Sequence, residues 1–332
     1  MSKHWMDKVW SWDHCFNALA LAAGRPDLAT DQFRVVFDHQ DPSGALPDSI
    51  THSEVLYNFV KPPIHGWALH GIRRRLHHDL DLDDLVQVYR QLSSWTSFWL
   101  TMRRVPGHTL AYYQHGNDSG WDNSTTFDDQ RVVETADLAA FLSLQMMELS
   151  DLAREIGQPA EATEWDQRAR EMQAAMITEL WDGNRFAARD PITGELHHSD
   201  SLLNLMPLIL GGHLPADISV GLINQLHNHI TTWGLATEPP ESPQYQSDGY
   251  WRGPIWAPST VLLEDGLRRG GHPDLADEIN AKFRALCEQS GFAENFDALT
   301  GTGLRDRAYT WTASAYLMLA ADFETRAGGS RA

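Results

Sequence analysis

The sequence predicts an all-α fold of the (α/α)6 toroid class, and three observations lead there. Apolar residues recur with helical spacing along almost the whole chain, strand-like alternation is scarce, and no segment reads as a βαβ unit. A glycine–proline punctuation recurs between the helical stretches. Connections alternate between short turns and long loops. Taken in order, helices are expected at about Trp12–Ala23, Pro26–His39, Pro62–Leu76, Leu82–Arg103, Val132–Ile156, Pro159–Leu180, Leu202–Leu210, Ala216–His229, Pro254–Arg269, Pro273–Gln289 and Asp306–Ala327.

The punctuation has a physical reason. Glycine tolerates the left-handed conformation that ends a helix, and proline suits the first turn of the next. Gly24-Arg25-Pro26-Asp27-Leu28-Ala29 is nearly repeated as Gly271-His272-Pro273-Asp274-Leu275-Ala276. Gly157-Gln158-Pro159-Ala160-Glu161-Ala162 is a third copy, and Gly212-His213-Leu214-Pro215-Ala216 a fourth, slipped by one residue. Each is expected to be a tight turn between antiparallel helices, and His77–Asp81 a further short turn. A closed ring of six hairpins needs twelve helices, and eleven are visible. The expectation is one catalytic domain over residues 1–332 that lacks most of its first outer helix and ends in a frayed tail at 327–332; an incomplete ring with one gap is the alternative. The face left by a missing helix would be apolar, which makes it a candidate surface for a homo-oligomer.

Composition narrows the function. The chain has 332 residues, 42% of them apolar, enough for one large core or two modest ones and too many for a disordered chain. The formal net charge is -19, and such a surface repels phosphate backbones, so no nucleic-acid partner is expected. No apolar run approaches the roughly 18 residues of a membrane span. Met1 to Val9 has no apolar signal region, and Cys15 and Cys287 cannot make a disulfide framework, so a reducing cytoplasm is expected.

The 13 tryptophans carry the functional signal. Trp67, Trp95, Trp99 and Trp165 lie inside expected helices and are assigned to the core. Trp10, Trp12, Trp121, Trp251, Trp256 and Trp311 lie at the starts of alternate helices, which in a ring of hairpins all face one end of the axis. Acids lie among them. Indole faces stack on the C–H face of a pyranose while Asp, Asn and Arg bond its hydroxyls, so a small sugar is the expected substrate. Two carboxyl groups across a glycosidic bond are the minimum apparatus for hydrolysis.

Trp12-Asp13-His14, Pro62-Pro63, Ser119-Gly120-Trp121-Asp122-Asn123-Ser124, Tyr250-Trp251-Arg252-Gly253-Pro254-Ile255-Trp256, Glu294-Asn295-Phe296-Asp297 and Thr300-Gly301 follow one another in the order seen in glycoside hydrolase family 63. The chain resembles that family from about residue 10 to 324. The family includes processing α-glucosidases and the mannosylglycerate and glucosylglycerate hydrolases, and it has an (α/α)6 barrel. The resemblance implies inversion, with Asp122 as general acid and Glu294 as general base. The two carboxyls of an inverting enzyme lie roughly 6.5–9.5 Å apart. Sugar-binding roles carry over to Trp10, Trp12, Asp13, Tyr250, Trp251 and Trp256, with Trp121, Arg252 and Trp311 as further candidates. Two positions depart from the pattern: many members have Glu where Asp118 stands and Gln where Lys61 stands. Lys61, with Arg252, is therefore a candidate for holding an anionic aglycone such as glycerate; a salt bridge from Lys61 to a neighbouring acid is the alternative.

No cofactor or metal is expected. A sugar epimerase would use histidines, of which His14, His39, His52, His65, His70, His115, His197 and His198 are available, but no metal-binding His spacing occurs. Asp79, Asp81 and Asp83 mimic a calcium loop without its glycine, and Asp118-Ser119-Gly120 lacks the surroundings of a catalytic triad. An α-glucosidase acting on oligosaccharides, and a non-catalytic sugar-binding fragment, are the competing functional classes.

Overall fold

In the computed structural model, residues 1–2, 6–76 and 80–329 are described. Residues 77–79 of the expected His77–Asp81 turn, with Asp79 of the calcium-loop candidate, and residues 330–332 of the expected tail lie outside them. The chain forms two compact units, Lys8–Ser199 and Asp200–Ala332 with Met1–Asp7.

The first unit begins with strand β1 (Val9–Trp10) and helices α1 (Asp13–Leu21) and α2 (Pro26–Arg34), the latter followed by a 3-10 turn at Phe37–His39. Strands β2 (Ser49–Ile50) and β3 (Val55–Leu56) follow, then helices α3 (His65–Arg75) and α4 (Leu82–Met102), strand β4 (Tyr112–Tyr113) and the short helix α5 (Gly116–Ser119). Strand β5 (Val133–Glu134), helices α6 (Ala136–Glu155) and α7 (Pro159–Leu180), and strands β6 (Ala188–Arg189) and β7 (Leu196–His197) complete it. Helix α6 packs against α3, α4 and α7 and is buried on nearly every face, the polar Asp137, Gln145 and Glu148 included. A buried glutamine joins the three layers: Gln145 of α6 accepts from the Gly66 N–H of α3 and donates to Thr96 of α4. Trp95 and Trp99 of α4 are fully buried, and each contributes about 1.5–3 kcal/mol through burial.

The second unit holds a 3-10 stretch at Leu202–His213, helices α8 (Ala216–Leu226), α9 (Ala257–Arg269) and α10 (Pro273–Ser290), strands β8 (Asn295–Phe296) and β9 (Gly303–Leu304), and helix α11 (Thr310–Gly329). Helix α9 is its centre and packs on the 3-10 stretch, α10 and α11.

The expected helices form, with informative exceptions. The segment expected as an α-helix at Leu202–Leu210 is 3-10, with Pro207 inside it and a non-helical Gly211 breaking it. Proline removes a backbone donor there, so the regular α ladder cannot run through. Of the glycines in the repeated turns, Gly157 and Gly271 take left-handed backbone, with φ of 76° and 84°. Gly24 does not, and in the slipped copy Gly211 takes that role instead of Gly212. Two-residue strands, all antiparallel, tie the long loops into small sheets in the orders β1-β2-β3, β4-β5-β6-β7 and β8-β9.

Candidate active site

In the first unit, the sheet β1-β2-β3, the start of α1, the segment before α3 and the turn after α5 bring together Trp10, Trp12, Asp13, Lys61, Asp118, Trp121 and Asp122. Trp10 pairs with Ser49 across the β1–β2 ladder. Trp12 is buried and lies against Gly120: a Cβ on that glycine would stand 2.6 Å from the indole Cζ2. Gly120 has φ 74°, so it can make this approach and end α5 at once. Ser119 serves the same turn. Its hydroxyl donates to the Gly116 carbonyl and accepts from the Trp121 N–H, which explains this serine without any nucleophilic role. Trp121 is buried and Asp122, beside it, is half-buried.

Asp13, in the first turn of α1, is almost fully buried. Burial pushes its carboxyl up to about 7, while the Lys61 charge pulls it down and the Asp122 charge adds to the rise. It can therefore be either donor or acceptor towards a sugar hydroxyl near neutral pH.

The two positions that depart from the family pattern are both held by the protein itself. Asp118 is buried, and its oxygens accept from the Val60 N–H at 3.1 Å, the Gln114 N–H at 2.8 Å and the Arg103 guanidinium at 2.8 Å. Lys61 is 6% exposed, pairs with Asp48 at 3.3 Å and donates to the Asn117 carbonyl at 2.8 Å. Its contacts are those of the salt-bridge alternative.

In the second unit, Tyr250, Trp251, Arg252, Trp256, Glu294 and Trp311 are brought together. Trp251 and Trp256 stack with centroids 4.0 Å apart and planes 4° apart, and Trp311 meets Trp256 edge-on at 5.4 Å. The Trp256 indole N–H donates to the Tyr250 carbonyl at 2.8 Å. That bond helps hold Tyr250 at φ 64°, a left-handed backbone that a tyrosine rarely adopts. Ile255 and Phe296 exchange backbone hydrogen bonds, and so tie the Tyr250–Trp256 loop to the segment that carries Glu294. Glu294 is buried; its N–H donates to the Asp306 carbonyl at 2.8 Å and its carbonyl accepts from the Trp311 indole N–H at 3.4 Å. Arg252 is half-buried.

Trp12, Trp121, Trp251, Trp256 and Trp311 are all less than 5% exposed, so their rings are packed within the fold, whereas Trp10 and Tyr250 are half-buried. Of the helix tryptophans expected in the core, Trp95, Trp99 and Trp165 are buried, whereas Trp67 is only half-buried, against Phe16. Several histidines do structural work. His65 is caged by Phe33, Phe37 and Trp95, and burial holds its pKa down to about 3. His14 lies with Nδ1 3.1 Å from the Trp10 carbonyl, and burial lowers it to about 4. His115 caps α5 by accepting from the Asn117 N–H. Among the described residues, no cluster of three or more His, Cys, Asp or Glu could hold a metal ion.

Sequence reasoning passed over Asp48, the partner of Lys61, and the buried pair of Tyr113 and Asp137, joined at 2.9 Å. Burial raises the Asp137 carboxyl to about 6. Neither acid sits in a motif or at a distinctive spacing, so the sequence offered no signal for them.

Residues 6–312 match the family profile described as the mannosylglycerate hydrolase MGH1-like glycoside hydrolase domain. The chain is 24% identical to a mannosylglycerate hydrolase of Rubrobacter radiotolerans, over 93% of this chain and 89% of that protein. It is 21% identical to a glucosylglycerate hydrolase of Mycolicibacterium hassiacum, over 93% and 91%. The crystal structure of a family 63 mannosylglycerate hydrolase from Thermus thermophilus, in complex with Tris and D-glycerate, superposes with a TM-score of 0.82 at 22% identity, over 94% of this chain and 93% of that one. The fold is thus the (α/α)6 toroid that the sequence predicts. No helix among the described residues is long and apolar enough to cross a membrane. The chain belongs to glycoside hydrolase family 63, as a glycosidase with an MGH1-like domain.

Proposed function

We propose that the chain is an inverting α-glycosidase acting on a small glycoside, glucosylglycerate or mannosylglycerate, with Asp122 as general acid and Glu294 as general base. The acid gives its proton to the glycosidic oxygen as the bond to the anomeric carbon breaks. The base takes a proton from water, whose oxygen attacks that carbon from the opposite face. The products are a β-configured sugar and the free aglycone hydroxyl, and solvent restores both carboxyls.

The observation that carries this reading is the turn at Gly120–Asp122. A close-packed glycine and the buried Trp12 and Trp121 fix the turn that carries a half-buried carboxyl, and Asp13 is close enough to feel its charge. A rigid turn fixes the position of that carboxyl, as a general acid requires. The named activities of the relatives support the choice of aglycone. Lys61 is engaged by Asp48 and by the Asn117 carbonyl, so its charge is matched within the protein.

The test is turnover of glucosylglycerate, mannosylglycerate, kojibiose, nigerose, maltose and trehalose by the wild type and by Asp122→Asn and Glu294→Gln. One of the glycerate glycosides should be the best substrate, and each variant should lose roughly a thousandfold in kcat. Preference for a disaccharide would make it an α-glucosidase, and no turnover by folded protein would make it a binding module.

A further inference from the structure

Lys61 and Asp48 are a buried ion pair that no step of the proposed hydrolysis uses. Both residues are 6% exposed or less. Taking two charges out of water is costly, and a well-packed apolar pair would serve stability as well. The contacts of this pair are specific. The Lys61 ammonium lies 3.3 Å from the Asp48 carboxylate, donates to the Asn117 carbonyl of α5, and stands 5.6 Å from the centroid of the Trp10 ring. The bond to α5 is reciprocated, since Asp118 of α5 accepts from the N–H of Val60. Asp48 immediately precedes Ser49, the β-ladder partner of Trp10. One cation therefore joins the Trp10 indole, the strand beside it and the short helix that leads into Asp122.

We propose that Asp48 and Lys61 act as one positioning unit for glycoside binding, holding the Trp10 ring, the α5 turn and a fixed positive charge towards Asp13. The inference rests on the sugar-binding roles proposed above for Trp10 and Asp13. Lys61 is then a strut whose charge is matched by Asp48, and it does not take up the aglycone carboxylate. The Lys8 ammonium stands 5.7 Å from the same centroid, so two cations favour this indole.

The experiment is a double-mutant cycle in the full chain with the glycoside that the wild type turns over, using Asp48→Asn, Lys61→Gln, the combined variant and Lys61→Arg, with Tm measured in parallel. Each single variant should raise KM about tenfold or more, and the combined variant should be no worse than Lys61→Gln alone, because the two act together. Lys61→Arg should recover KM to within about threefold, since the charge returns. KM unchanged in Lys61→Gln, or single effects that multiply in the combined variant, would overturn the inference, even where Tm falls. If the wild type turns over a glycoside and Asp122→Asn abolishes it while KM is unmoved by the pair, the positioning role alone has failed. If the wild type turns over nothing, the proposed function has failed and the positioning role falls with it.

Discussion

Trp12 lies against Gly120, with its Cζ2 2.6 Å from where a Cβ would stand. Helix α1 is thereby locked to the turn that presents Asp122. A methyl at Gly120 must both displace the indole and adopt φ 74°. Gly120→Ala should therefore cost about 2 kcal/mol or more in urea denaturation. Gly116 meets the other side of the turn, where a Cβ would fall 2.3 Å from the Asp122 carbonyl. Gly116→Ala should lower kcat more than tenfold, because it displaces the backbone of the proposed acid. Full activity in a folded Gly116→Ala protein would show that the placement of Asp122 does not matter.

Asp13 links pH to stability. Its carboxyl is raised by burial to about 7, from 3.8 when exposed. Its contribution is present below about pH 4 and is lost as pH rises through 7. Asp13→Asn should therefore be more stable than the wild type at pH 8, by about 1–3 kcal/mol, with the gap closing towards pH 4. Sugar binding should weaken in the same variant. A stability gap that widens as pH falls would contradict this. Asp137, raised to about 6, acts in the same direction. His14, His65 and His229, all lowered by burial, act in the opposite one: their contribution is present above about pH 6.5 and is lost as pH falls through 4 and 3.

Tyr250, like Arg305, is a strained point of the second unit. A left-handed backbone costs a bulky residue about 1–2 kcal/mol, and such strain gathers at working sites. Tyr250→Gly relieves it while losing the ring contact with Trp256 at 5.0 Å. Stability should stay within about 1 kcal/mol of wild type, while kcat/KM should fall tenfold or more. A variant that unfolds easily yet keeps its activity would assign Tyr250 to the fold alone.

Trp311 reaches Glu294 through its backbone. Trp311→Phe keeps most of the ring but removes the N–H that the Glu294 carbonyl accepts. Steady-state kinetics should show kcat reduced about tenfold with little change in KM, since a proposed base held less firmly affects the chemical step. A change confined to KM would point to sugar stacking instead.

The helices were legible in the sequence because their apolar faces repeat over many turns and their ends carry glycine and proline. The 3-10 stretch at Leu202–His213 was not, because a short apolar run has the same composition in either helix type and only Pro207 and Gly211 break it. The paired strands escaped because two residues cannot show alternation. In the candidate site, aromatic and acidic residues in motifs were readable, while their partners were not. Arg103, Asp48 and Asn117 meet Asp118 and Lys61 only through the folded chain, 15, 13 and 56 positions away in sequence. The buried state of Trp251 and Trp256 was equally hidden, since a loop position does not reveal which rings will stack on one another.

The anomeric configuration of the sugar at the moment of release is the decisive observable. Proton NMR of the product from an α-glycoside, followed before mutarotation and with Asp122→Asn alongside, reads it. Inversion predicts the β-anomer first, and its loss in the variant. Release of the α-anomer first would contradict the assignment of Asp122 and Glu294 as acid and base of an inverting hydrolysis.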